Sequence, residues 1–141
     1  MNNEDHNFFD TEDLITTKEF VILLMEGCKI SMEPGHEEAA AMDYALKKGI
    51  IEDYDITNWD NPIKRSCAAR IVHDAMLTLL SEKDEKDWSA AEHLLDLYSC
   101  RSCVKHIAQV YVKGIMSEHK EKLFEPEGKM AKAQARSVIA R

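Results

Sequence analysis

Apolar residues recur along most of this chain at the three- and four-residue spacing of helix faces, and strand-like alternation is nearly absent. The longest stripe is Ile63, Cys67, Ile71, Ala75 and Leu79, which places one face of a helix against a core. Three prolines and five glycines punctuate the pattern, mostly at segment edges. Thr16 and Glu19 have the spacing of a capping box and open a helix running to about Met25, which Gly27 can end. A second helix follows Pro34 and stops at Gly49. A third starts at Asn61-Pro62, an N-cap followed by proline at the first helical position. The polar stretch Ser81 to Asp87 reads as a connection, after which Ser89 and Glu92 form another capping box and open a short helix. A further helix runs from about Ser102 to Gly114, and the last begins near Met130 and is still running at Arg141. The pattern predicts an all-α protein.

These segments repeat. Lys48-Gly49-Ile50-Ile51 matches Lys113-Gly114-Ile115-Met116, and in each copy a polar loop follows with one aromatic and one proline: Trp59 and Pro62, then Phe124 and Pro126. A longer helix comes next, beginning at Ile63 in one copy and Met130 in the other, and Ile15 to Leu24 is a third copy of that helix alone. The single domain, 1–141, therefore divides into a half unit at 1–30 and helix-loop-helix units at 33–81 and 89–141. Trp59 and Phe124 are expected to plug the base of their units.

The unit resembles the S-layer homology (SLH) repeat: a first helix ending in Gly-Ile-Ile/Met, a loop with an aromatic and a proline, and a helix opening with Ile-Thr-Arg-Ala-Glu. Leu95-Asp96, Ile107, Gly114-Ile115-Met116, Phe124-Glu-Pro126 and Met130 stand at the family's spacings. The resemblance covers nearly the whole chain and implies about two and a half SLH-like units packed as a pseudo-threefold helical bundle. It also implies a non-catalytic role, anchoring to secondary cell-wall polysaccharide through grooves between units. The motif arginine falls on Thr17, Arg65 and Lys132, with Lys64 beside Arg65, and the motif glutamate on Glu19, Cys67 and Gln134. No copy keeps both, and Glu37 and Ser102 stand where the family has tryptophan.

Charge shifts the functional expectation. The 26 acidic residues outnumber the 18 basic ones, for a formal charge of -8, which opposes direct binding to nucleic acid. The longest apolar run, Phe20 to Met25, falls far short of the roughly 20 residues of a membrane span. Met1-Asn-Asn-Glu-Asp-His lacks the basic start and apolar core of an export signal, which predicts a cytoplasmic protein, or one at the cell surface if a leader has been removed. The first expectation is an acidic module that binds, and in one version inhibits, a basic partner protein. Its contacts would come from two acidic loops, Glu52, Asp53, Asp55 and Asp60 in one, Glu118, Glu121 and Glu125 in the other. The alternative is the wall anchor, with polysaccharide as ligand. A truncated repeat array also exposes an apolar face that a second copy can cover, which adds a homodimer to the expectations.

Catalytic signatures are absent: there is no Gly-rich phosphate loop and no Ser/His/Asp order, so neither an enzyme nor a cofactor is expected. Cys67 and His73, six apart on one helix, fall on different faces. Cys100-x-x-Cys103-x-x-His106 is part of a zinc pattern, with His93 or His119 as fourth ligand, because zinc favours thiolate and imidazole. Against a metal, the repeat alignment gives Cys103 a core position and Cys100 the preceding turn. With no export signal, all four cysteines are read as reduced thiols. The acidic loop at 52–60 lacks the spacing of a calcium loop.

Overall fold

The computed structural model describes residues 13–140, so Met1 to His6, which bear on export, and Arg141 lie outside it. The described chain is mostly helical, in agreement with the all-α expectation. Its helices are α1 (Thr17–Gly27), α2 (Glu37–Lys47), α3 (Asp53–Thr57), α4 (Arg65–Thr78), α5 (Val104–Val112) and α6 (Lys132–Ile139). Three 3-10 turns, Ser89–His93, Leu97–Ser99 and Arg101–Cys103, lead from α4 to α5. No helix among the described residues is long and apolar enough to cross a membrane.

Local signals set several boundaries. At the start of α1 the Glu19 amide donates to Thr16 Oγ1 (3.1 Å) and the Thr16 amide to Glu19 Oε1 (3.0 Å), the reciprocal capping box. The ends of α2 and α5 match: Gly49 and Gly114 both take φ +73, a conformation that costs a side-chain-bearing residue more than glycine. The next amides then reach back, Ile50 to the Ala45 carbonyl (2.8 Å) and Ile115 to that of Val110 (2.9 Å).

Elsewhere tertiary structure overrides the local signal. α1 does end at Gly27, with Cys28 as its C-cap, but the left-handed residue that follows is Lys29, at φ +64, rather than the glycine. A Cβ at Gly27 would lie 2.6 Å from Ile139 Cγ2, so the glycine admits close approach of α6. The third helix begins at Arg65 rather than at Asn61-Pro62 because residues 61–64 are extended and spend their backbone groups elsewhere. The Thr17 amide donates to Asn61 O (3.0 Å), the Arg65 amide to Gly128 O (2.8 Å) and the Lys132 amide to Asp13 O (2.8 Å). The first amide of each long helix is thus satisfied by the carbonyl four residues before the start of another, α1 from before α4, α4 from before α6, α6 from before α1. Isolated bridges Leu14–Ala131, Thr16–Pro62 and Lys64–Lys129 accompany these bonds.

The stretch expected as a plain loop after Gly49 contains the short helix α3, whereas the Ser89/Glu92 capping box does not form: that stretch is a 3-10 turn whose Ser89 amide donates to Asp87 Oδ1 (3.0 Å). The last helix stops at Ile139. α4 packs on α5, and α1 on α2 and α6. Phe20, Ile50, Ile63, Ile71, Leu97, Ile107 and Met130 fill the core, and Trp59 and Phe124 are both buried. Buried Gln109 accepts from the Glu85 amide (2.9 Å) and donates to its carbonyl (3.0 Å), pinning the connection between α4 and α5.

Candidate functional site

The residues at the helix starts are largely engaged within the protein. Arg65, only 4 % exposed, donates from Nε to the Phe124 carbonyl (2.8 Å) and from Nη2 to the Ser117 carbonyl (2.6 Å). Its guanidinium lies 4.5 Å from the Phe124 ring centroid, and burial pulls its pKa down to about 10, which leaves it charged at neutral pH. A free arginine fork for a sugar is therefore not what the chain builds here. Lys64 pairs with Glu127 (2.9 Å), and Lys132 lies 3.9 Å from Glu19. Gln134 Oε1 accepts from the Ala131 amide (3.0 Å), so Glu19 and Gln134 both cap their helices. Thr17 is buried, its hydroxyl 3.5 Å from the Asn61 carbonyl.

The acidic loops divide in the same way. Asp55, expected to face a partner, is 1 % exposed because the α3 turn carries it inward. There it accepts from the Glu52 amide (2.8 Å) and from Arg70 Nη2 (2.5 Å). Burial alone would lower the Arg70 pKa, but the hydrogen bond and charge of Asp55, with Glu52 behind, make the net shift upward. Glu118 is tied to the Lys122 amide (2.7 Å), to His93 (2.9 Å) and to the Tyr111 hydroxyl (3.2 Å). Glu125 is tied to His119 (2.6 Å), while Asp96 holds the Phe124 and Glu125 amides (2.9 and 2.8 Å). Glu52, Asp53, Asp60 and Glu121 remain exposed, and Tyr54, 47 % exposed, sits among the first three in sequence. Of these, Asp60 pairs with Lys18 (3.1 Å).

The expectation of reduced thiols fails at one pair. Cys100 and Cys103 are joined in a disulfide, their Cα atoms 5.3 Å apart, because the 3-10 turn Arg101–Cys103 folds the two residues toward each other. Neither is then a thiolate for the Cys100–Cys103–His106 zinc pattern, and the His106 ring turns to α4 instead. Cys28 and Cys67 are free, and burial pushes both thiols up in pKa. A cavity of about 240 Å³ lies beside the disulfide, lined also by Tyr54, Lys64, Cys67, Arg70 and His106.

Where α4 meets α5, His73 Nδ1 and His106 Nδ1 are 2.8 Å apart, so one imidazole donates and the other accepts. His73 Nε2 lies 2.6 Å from Asp84 Oδ1, and Lys105 Nζ 3.3 Å from Asp84 Oδ2. Burial opposes ionisation of Asp84, but these partners prevail and lower its pKa. Burial, with His73 nearby, lowers the His106 pKa to about 4. Asp74, next to His73 on α4, is half-buried, and burial raises its carboxyl. With both His73 nitrogens engaged and the Cys67 thiol shifted upward, the two do not form a nucleophile and base.

Sequence reasoning named neither Asp74 nor Asp84, and it weighed His73 and His106 separately, each against a cysteine. Their meeting is a consequence of α4–α5 packing, for which helix periodicity carries no signal. Comparisons of the chain with protein-family models, with curated proteins and with solved structures find no match.

Proposed function

We propose that this chain is a non-catalytic binding module on a pseudo-threefold scaffold of SLH-like units, and that it engages a basic partner protein through the exposed acidic patch around Tyr54. Three features support the scaffold: the amide-to-carbonyl relation repeated at α1, α4 and α6, the matched caps at Gly49 and Gly114, and the buried aromatics Trp59 and Phe124. The observation that carries the functional choice is how charge is divided between interior and surface. Arg65, the cation at the motif position, is consumed by backbone carbonyls, whereas Glu52, Asp53 and Asp60 face solvent on the stretch of chain that also carries the exposed Tyr54. An exposed aromatic on an acidic stretch suits a complementary protein surface, with the charges setting association rate and specificity.

Titration of the full chain with a Lys/Arg-rich peptide, against an acidic peptide of equal length, tests this reading. Binding should weaken steeply with salt, and at least tenfold in Asp53→Lys and in Tyr54→Ala. Equal binding of both peptides, or variants that bind like the parent, would overturn it.

A second reading, polysaccharide binding, is favoured by one observation. A groove of about 160 Å³ opens beside Arg65, lined also by Glu118, His119, Gln134 and Ser137. Co-sedimentation with cell-wall sacculi, before and after removal of their secondary polymers, tests it; pelleting that does not depend on the polymer excludes it.

A further inference from the structure

We propose that His73, Asp74 and His106 form a binding site for a divalent transition-metal ion of the zinc class, clamping α4 to α5. One ligand atom from each residue lies within 4.8 Å of those from the other two. The two δ-nitrogens already face each other at 2.8 Å. An ion bonded to both at about 2.0–2.1 Å sets them roughly 3.3 Å apart in tetrahedral geometry, so the rings need separate by only about half an ångström.

The surroundings have the character of a metal site. His73 Nε2 points at Asp84 (2.6 Å), which is itself held by Lys105 (3.3 Å); a carboxylate accepting from the far nitrogen of an imidazole fixes the tautomer that leaves the near nitrogen free for a metal. Among the described residues the half-buried Asp74 carboxylate makes neither a hydrogen bond nor an ion pair, which leaves its oxygens open to an ion. Two imidazoles and one carboxylate suit zinc and its transition-metal neighbours, whereas calcium and magnesium favour all-oxygen sets. The nearby positive charge of Arg70 opposes an ion, but Asp55 and Glu52 already offset it. This set shares only His106 with the cysteine pattern in the sequence, and it needs no thiolate.

Calorimetric titration of the full-length chain, disulfide intact, with zinc, and the absorption spectrum of its cobalt(II) form, test the site. The result expected is one equivalent bound in the micromolar range or tighter, with a rise in melting temperature. Binding should fall at least tenfold in His106→Gln and in Asp74→Asn, and about 10–100-fold in Asp84→Asn, which alters only the orienting carboxylate. His93→Gln/His119→Gln, away from this cluster, should bind as the parent does. Circular dichroism confirms that each variant folds; if His106→Gln does not, Asp74→Asn, at a half-exposed position, gives the decision alone. Absence of stoichiometric binding overturns the proposal. So does binding that survives in His106→Gln and Asp74→Asn, or that appears only after reduction and is lost in Cys103→Ser, which would move the ion to the cysteines.

Discussion

Arg65 shows how an arginine that the sequence offers for ligand binding can serve the fold instead. Its Nε and Nη2 satisfy two backbone carbonyls on the 117–124 segment while its face covers Phe124. Truncation leaves both carbonyls without their charged donor, so Arg65→Ala should destabilise the protein by roughly 2–4 kcal/mol in urea unfolding. Arg65→Lys should recover only part of this, because an ammonium cannot reproduce the fork. His106 makes a pH-dependent contribution. Its pKa is about 4 in the folded chain against 6.5 ordinarily, so between these values the unfolded chain takes up a proton that the folded one excludes. That stability is present above pH 6.5 and is lost as pH falls toward 4. Asp74, shifted upward, works in the opposite direction. Melting curves across this window should fall less steeply with acidification in His106→Gln than in the parent; an identical slope would contradict the assignment. At this scale the sequence was a poor guide. Residue type and charge identify Asp55 and Glu118 as acids, but not that one is buried against Arg70 and the other pinned by Lys122 and His93.

At the scale of elements the chain was far more legible, and the failures have a common cause. The Thr16/Glu19 box and the glycines at 49 and 114 act through bonds within a few residues, which spacing alone encodes. Matched geometry at the two glycines predicts matched costs: Gly49→Ala and Gly114→Ala should each lose about 1–2 kcal/mol, the penalty of a left-handed L-residue. Chemical denaturation of the two variants side by side checks it, and a glycine replaced without loss would mean its cap is not structurally required. Asn61-Pro62 misleads because a good local N-cap competes with long-range bonds from Thr17 and Arg65, which hold the segment extended. Gly27 marks the helix end as expected, but the need for a glycine there is set by Ile139, more than a hundred residues away.

Across the whole molecule, the three extended segments before α1, α4 and α6 bond to one another in a cycle closed within one chain. The N-terminal segment before α1 finds its backbone pairing partners at 61–63 and 130–131 within the same chain, so the cycle needs no second copy to close. Light scattering should therefore give a monomer at high concentration. The matched caps at Gly49 and Gly114 and the buried Trp59 and Phe124 were visible in the sequence; the cyclic closure was not, since it joins backbone groups without regard to side chain. The measurement that bears most directly on function is a comparison of the intact chain's affinity for a Lys/Arg-rich peptide and for polymer-bearing sacculi, at low and at physiological salt. Salt-sensitive binding to the peptide, lost in Asp53→Lys, with no polymer-dependent pelleting, is the predicted result. Polymer-dependent pelleting with no preference for the basic peptide would contradict it.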